Sequence, residues 1–290
     1  MYKLTFDEFD KIFNYIYGDR WIQITSVNDR FVYGDIVIPS YIGSYQVYLP
    51  DDCSKLFACC ENLTSIDLSC INTSNVNNMS QMFYYCLSLE SINLSDINTS
   101  NVTDMFSMFQ YTAIDSLNLS SFDTSNVTDM SRMFSDCDCL KSLYLSNFKT
   151  HNVIGMHSMF ENCESLEHID IHNFDTSNVK DMSSMFANCK KLSRLNLSNF
   201  NTCSVNYISS MFADCSELIS LDIQNFKTLN VVNMCQMFYN CICLERLNID
   251  INFNDYTPVN YLLDGCDDHM VIAKYSNGDL IHECYLKDIY

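Results

Sequence analysis

Asp175-Thr176-Ser177-Asn178-Val179-Lys180-Asp181-Met182-Ser183-Ser184-Met185-Phe186, followed shortly by Leu195-Asn196-Leu197-Ser198-Asn199-Phe200-Asn201-Thr202, carries a phrase that recurs through most of this 290-residue chain. Its Met-Phe landmark returns at Met82-Phe83, Met108-Phe109, Met133-Phe134, Met159-Phe160, Met185-Phe186, Met211-Phe212 and Met237-Phe238. Leu56-Phe57 precedes the series and a degraded Leu262-Leu263 ends it. The step is 26 residues, shortened to 25 at the third and last intervals. A fixed period of that size signals stacked supersecondary units, none able to bury its apolar face alone.

Residue types divide by position within a coil. Met211, Phe212, Cys215 and Leu218 share one face of a short helical turn. Leu221 and Ile223 then alternate like a strand with one buried face, Phe226 turns inward, and Val231 begins the return side. Ser80, Ser131 and Ser183 stand where an N-cap would open the helical turn. Thr73, Thr99, Thr124, Thr150, Thr176, Thr202 and Thr228 hold one place in all seven full repeats. Two residues on come Asn75, Asn101, Asn126, Asn152, Asn178 and Asn230, with Ser204 as the exception. Backbone groups at bends need partners, so both series are expected to form a structural ladder, bonding locally or to the next coil.

Residues 1–52 lack the repeat. Thr5 and Glu8 form a capping-box signature, and Phe9, Ile12, Phe13 and Ile16 follow at helical spacing until Gly18. Trp21 to Ile24 and Phe31 to Ile38 read as short strands. After Cys266, His269 to Tyr275 and Leu280 to Leu286 flank Ser276-Asn277-Gly278-Asp279, a hairpin signal. The expected organisation is an N-terminal cap over 1–52, leucine-rich-repeat-like coils over 53–266, and a C-terminal β-hairpin cap over 267–290. The fold class is an α/β repeat solenoid of about nine coils, each with short strands and one short helical turn. At ~4.8 Å per strand the stack is roughly 40 Å long.

The formal charge of −20 and pI near 4.4 disfavour direct binding to nucleic acid or anionic membranes. No segment approaches the ~18 apolar residues of a membrane span. The start, Met1 to Asp10, carries acids where a secretory signal needs an apolar core. The expected location is the cytoplasm or the interior of a virus-infected host cell, with surface display only by a route the sequence does not show. Eight of the sixteen Cys sit on the repeat, at Cys60, Cys86, Cys137, Cys163, Cys189, Cys215, Cys241 and Cys266, with Thr112 at the vacant place. They read as small buried hydrophobes, reduced in such a compartment.

These residues resemble the BspA-like branch of leucine-rich repeats, and most closely the 25- to 26-residue repeat of mycoplasma-type surface proteins. The likeness spans roughly residues 53–266 and rests on the two stretches quoted at the outset. It implies a solenoid that binds other proteins, often in adhesion or host contact, and no catalysis.

Signatures of chemistry are missing. The chain has no Cys-x-x-Cys, His-Glu-x-x-His, Gly-x-Ser-x-Gly or phosphate-cradling glycine loop, so no enzyme and no cofactor are expected. His151, His157, His168 and His172 cluster in sequence, but zinc needs about four converging ligands and these spread round a coil perimeter. No metal site is expected. A functional signal lies where exposed strand positions depart from short polar residues. Tyr144, His168, Asp170, His172, Arg194 and Asn196 bring aromatic, imidazole and guanidinium groups of the kind enriched at interface hot spots. They are the candidate partner-binding residues. Between Leu63 and Asp136, eight acids accompany one base, Arg132. The resulting expectation is non-catalytic binding of a protein partner through the exposed repeat face, by an adaptor or effector. A surface or virion structural protein and an acidic decoy of a nucleic-acid-binding site are the alternatives.

Overall fold

A computed structural model describes residues 4–28, 32–249, 257–276 and 279–285. Its coils are held by backbone bonds that can be followed donor by donor in Met79 to Cys86. The N–H groups of Met79, Gln81, Phe83 and Tyr85 donate to the carbonyls of Asp104, Phe106, Met108 and Gln110 in the next coil, at 2.7–3.0 Å. Those of Met82, Tyr84 and Cys86 close turns within the coil, onto Met79, Gln81 and Phe83. Ser80 N–H donates to Asn78 Oδ1 at 2.8 Å. Every donor in this buried segment is therefore satisfied, alternately inside the coil and between coils.

That alternation requires left-handed backbone twice per coil. Gln81 and Tyr85 have φ of 57° and 60°, and the equivalents run from Lys55 and Cys59 to Gln236 and Asn240. The second of each pair is mostly Asn or Asp, the non-glycine residues that best tolerate this region. The helical turn read from the spacing thus takes the form of three consecutive hydrogen-bonded turns, not an α-helix. A helix would direct every N–H along its own axis and leave none for the neighbouring coil. The N-cap falls elsewhere for the same reason: Asn78, Asp129 and Asp181 accept the N–H of Ser80, Ser131 and Ser183, whose own hydroxyls do not cap.

At the N-terminal end, α1 (Phe6–Ile12) carries the full Thr5–Glu8 capping box and stops at Ile12, short of the helical spacing that runs to Ile16. β1 (Phe13–Tyr17) instead pairs antiparallel with β2 (Trp21–Val27), giving this aromatic-rich segment backbone partners. β3 (Gly34–Val37), β4 (Tyr41–Ile42) and β5 (Tyr45–Tyr48) follow. The repeats contribute β6 (Leu63–Asp67), β7 (Ser91–Asn93), β8 (Ser142–Tyr144), β9 (His168–Asp170), β10 (Ser220–Ile223) and β11 (Arg246–Ile249). Then come β12 (Val271–Ser276) and β13 (Asp279–Tyr285), an antiparallel pair. The Asn277-Gly278 turn proposed between them, and Leu286, lie outside the described residues.

Both ends continue the strand column: β3 pairs in parallel with β6, and β11 in parallel with β12. The column itself breaks into sheets β3-β6-β7, β8-β9 and β10 to β13. Single bridges on the other side run without a gap through Asp52, Asn78, Asp104, Asp129, Gly155, Asp181, Tyr207 and Asn233. Continuity of the stack therefore resides in the turn side more than in the strands.

Between the two ladders lies one core. The rings of Phe57, Phe83, Phe109, Phe134, Phe160, Phe186, Phe212 and Phe238 form a column with centroids 5.5–5.9 Å apart and planes within 14°. Such stacking adds about 0.5–1.5 kcal/mol per pair beyond area burial. Phe13 meets Phe57 edge-on at 6.5 Å and closes that end of the column.

The buried polar residues link coils. Thr150 Oγ1 donates to the Asp175 carbonyl at 3.0 Å and accepts the Asp175 N–H at 2.7 Å. The same double contact recurs at Thr73, Thr99, Thr124, Thr176 and Thr202. Asn101, Asn126, Asn152, Asn178 and Asn230 reach the other way, each donating Nδ2 to a carbonyl one coil earlier at 2.7–2.8 Å. The repeat cysteines are donors as well as small apolar groups. Cys163 Sγ, for example, lies 3.1 Å from the Phe134 carbonyl. The fifteen cysteines whose side chains are described are free thiols. Burial pushes the thiols of Cys137 and Cys215 up to about 12, which leaves them protonated and unreactive.

Replacing Thr150 by Val keeps the shape but strands one buried N–H and one carbonyl. The loss expected in urea unfolding is about 1–3 kcal/mol, whereas Thr150→Ser retains most of the stability. Equal stability of the Val variant would show that the hydroxyl does not bridge the coils.

Candidate partner-binding face

The strand column sets two exposed rows. In the first, Ser142 of β8 lies opposite His168 of β9, and Arg194 bridges Ser220 of β10. In the second, Tyr144 lies opposite Asp170. Alternation along each strand turns these residues outward while Leu143 between them is buried.

The six candidate residues separate into two kinds. Asp170 and Asn196 belong to a series that closes the turn after each strand. Asp67, Asn93, Asn118, Asp170, Asn196 and Asp222 each accept, through Oδ1, the N–H two residues later at 2.9–3.3 Å. Their side chains are engaged by the fold. His172 Nδ1 lies 2.6 Å from Asp170 Oδ1, and this hydrogen bond holds the Asp170 carboxyl below its ordinary value. Tyr144, His168 and Arg194 are of the other kind. All three are exposed, Tyr144 by 69%, and none forms a side-chain hydrogen bond or ion pair with a described residue. Tyr144 also occupies a place in the Asp/Asn series, where a phenol cannot accept the Ser146 N–H.

The acids between Leu63 and Asp136 do not share one row. Asp67 closes a strand turn, while Asp104 and Asp129 cap the Met-Phe turns. Asp115 and Asp123 face Lys141 and Lys149 across coils at 3.5 and 3.3 Å. Asp136 accepts from Gln110, Ser135 and Asn162. Asp104 is half-buried, and burial, with the like charges of Asp129 and Asp52, raises its pKa. Of the clustered histidines, His157 packs on the turn side near Phe106 with ring centroids 6.5 Å apart, away from the strand rows. No group of three metal-ligating side chains converges among the described residues. No described helix is long and apolar enough to cross a membrane. The fold also brings together Trp21, Gln23, Tyr48, Asp51 and Asn75, a grouping with no sequence signal beyond the chain's single Trp.

Comparison with known proteins agrees with this geometry. The family model described as "Mycoplasma protein of unknown function, DUF285" matches residues 51–169 and 163–269. A leucine-rich repeat protein from Bacteroides ovatus ATCC 8483 is similar in structure over 91% of this chain and 70% of its own, at 18% identity and a TM-score of 0.54. A leucine-rich repeat protein from T. pallidum aligns over 72% of this chain and 88% of its own, at 19% identity and a TM-score of 0.42. The first establishes a shared leucine-rich-repeat fold. No curated protein matches the sequence.

Two substitutions test these assignments. Because the Asp104 pKa is raised on folding, its ionisation weakens the fold, and that penalty is absent below the unfolded carboxyl value. Asp104→Asn keeps the acceptor, as Asn78 and Asn233 already do, and is expected to raise Tm at pH 7 but not at pH 3. A gain that persists at pH 3 would mean the charge is not its source. Tyr144→Asn restores the missing turn acceptor and is expected to stabilise by about 1 kcal/mol in urea unfolding, against no gain if Ser146 N–H is already satisfied by water.

Proposed function

Since the chain belongs to the family described as mycoplasma protein of unknown function, DUF285, we propose that it is a non-catalytic protein-binding solenoid, an adaptor or effector that recognises a protein partner through its strand-side face. Solenoids present long rigid surfaces whose exposed positions vary while the core repeats. The observation that carries the reading is the set of large outward side chains without partners among the described residues, Tyr144 in one row and His168 and Arg194 in the other, where most coils hold Asp or Asn and Ser respectively. Tyr and Arg supply much of the binding energy of protein interfaces, and here the strands hold them at fixed spacing. The six candidates then act unequally: Tyr144, His168 and Arg194 make the contacts, while Asp170, His172 and Asn196 shape the turn beside them. The decoy alternative draws no support from the acids, which point in different directions and are mostly engaged locally.

Immobilised protein, used to capture partners from extracts, tests this face. A Tyr144→Ala/His168→Ala/Arg194→Ala variant is expected to lose at least roughly tenfold of the specific capture, equivalent to about 1.4 kcal/mol. An Ile154→Ser/Val232→Ser variant, altered at exposed positions on the turn side, is expected to retain it. Equal capture by both variants would remove the strand face from the reading.

A further inference from the structure

At the joint between the N-terminal elements and the first coil, β2 and β5 pair in parallel, with Trp21 opposite Gln46 and Gln23 opposite Tyr48. Tyr48 bridges onward to Asn72. Trp21, Gln23 and Tyr48, with Asp51 and Asn75, line a cleft of about 410 Å³.

Each group in the cleft has a definite state. The Trp21 indole lies against Gly18, where a Cβ would fall 2.1 Å from ring atom Cε2, so any side chain at 18 would displace the ring. The Gly18 N–H donates to the Trp21 carbonyl at 2.9 Å, and Trp21 is 40% exposed. The Asp51 backbone carbonyl accepts the Asn77 N–H at 2.8 Å, which fixes the residue, while its carboxylate has no partner among the described residues. Asn75 opens the asparagine series, yet makes no bond like those of Asn101, Asn126, Asn152, Asn178 and Asn230 to a carbonyl one coil earlier. Asn75 and Asp51 line the same cleft. Tyr48 OH is engaged with Gln46 Oε1 at 2.9 Å, leaving its ring as the apolar wall.

An aromatic face, an unpaired carboxylate and an unpaired amide in one concavity, with no base in the lining, are complementary to a planar cation. We propose that this cleft receives an arginine side chain from a basic segment of the protein partner. The guanidinium stacks on the Trp21 indole, Asp51 accepts its N–H groups, and the Asn75 carbonyl oxygen takes another. The net charge of −20 on the chain draws such a segment toward it. The inference rests on the protein-binding reading of the solenoid but concerns a second contact point, distinct from the strand face.

Trp21 is the only tryptophan in the chain, so emission excited at the red edge of the indole band, where the 18 tyrosines do not absorb, reports on this cleft. The full-length protein is titrated with N-acetyl-arginine amide, with its neutral analogue N-acetyl-citrulline amide, and with cellobiose. The arginine probe is expected to give a saturable change in the millimolar range, weakened by salt and at least roughly tenfold weaker in Asp51→Asn. No saturation by the arginine probe, equal saturation by citrulline or cellobiose, or an unchanged affinity in Asp51→Asn overturns the proposal. Because the probes are small, this result is independent of partner capture by the strand face. Capture that survives while the titration fails would eliminate the cleft without touching the proposed function.

Discussion

Everything in this protein depends on the rule that each coil must give half of the N–H groups of its Met-Phe segment to the next coil. With the other half closing turns inside the coil, the backbone is satisfied without helices or long strands. The rule fixes the spacing between coils at that of a hydrogen bond. That spacing in turn sets the stacking of the phenylalanine rings and the register of the exposed rows. Left-handed residues, two per coil, make the alternation possible. They carry a local conformational cost of about 1–3 kcal/mol each, which the surrounding ladder and core must offset.

The side chains that complete the ladder are chosen for reach. Threonine places a hydroxyl where a backbone carbonyl and N–H of the next coil converge, and its methyl group remains in the core. Asparagine spans to the coil before. Asp and Asn at three further positions close turns, before the Met-Phe segment as at Asn78, after each strand as at Asp67, and beside the threonine ladder as at Asp123. Cysteine is small enough to be fully buried within a coil, and its thiol adds a second donor to a carbonyl that already accepts one backbone N–H, as the Phe134 carbonyl does from Cys137 N–H and Cys163 Sγ. With these partners in place the chain needs few glycines, even though its backbone is rich in turns.

How far this was legible varies with the physics. The 26-residue period and the apolar positions state the solenoid outright, because burial acts on composition at fixed spacing. The turn side was harder to read. Met211, Phe212, Cys215 and Leu218 fall at offsets that suit one face of a helix, and three consecutive turns place the same residues inward. Only the demand of the neighbouring coil for N–H groups separates the two. The first segment shows the same limit, since Phe13 and Ile16 continue a helical spacing that strand pairing overrides. Nor does sequence distinguish Asp170 from His168 as candidates: both are polar and outward, and only the bond from Asp170 to the following turn shows that it is engaged. The cleft at Trp21 is assembled from residues far apart in sequence and had no motif to announce it.

The same accounting bears on where function resides. In a lattice this repetitive most polar side chains have work within the fold, so an outward residue that does none is informative. Tyr144 goes further, because it stands where six other coils place a turn-closing Asp or Asn, and it leaves its own turn without that side-chain acceptor. Its direct neighbour across the strands is Asp170, and His168 and Arg194 occupy the adjacent row on the coils that follow. A solenoid confined to structural duty gains nothing by giving up that acceptor at an exposed place. The missing acceptor therefore singles out the surface on which the proposed function rests, by a physical route separate from residue chemistry.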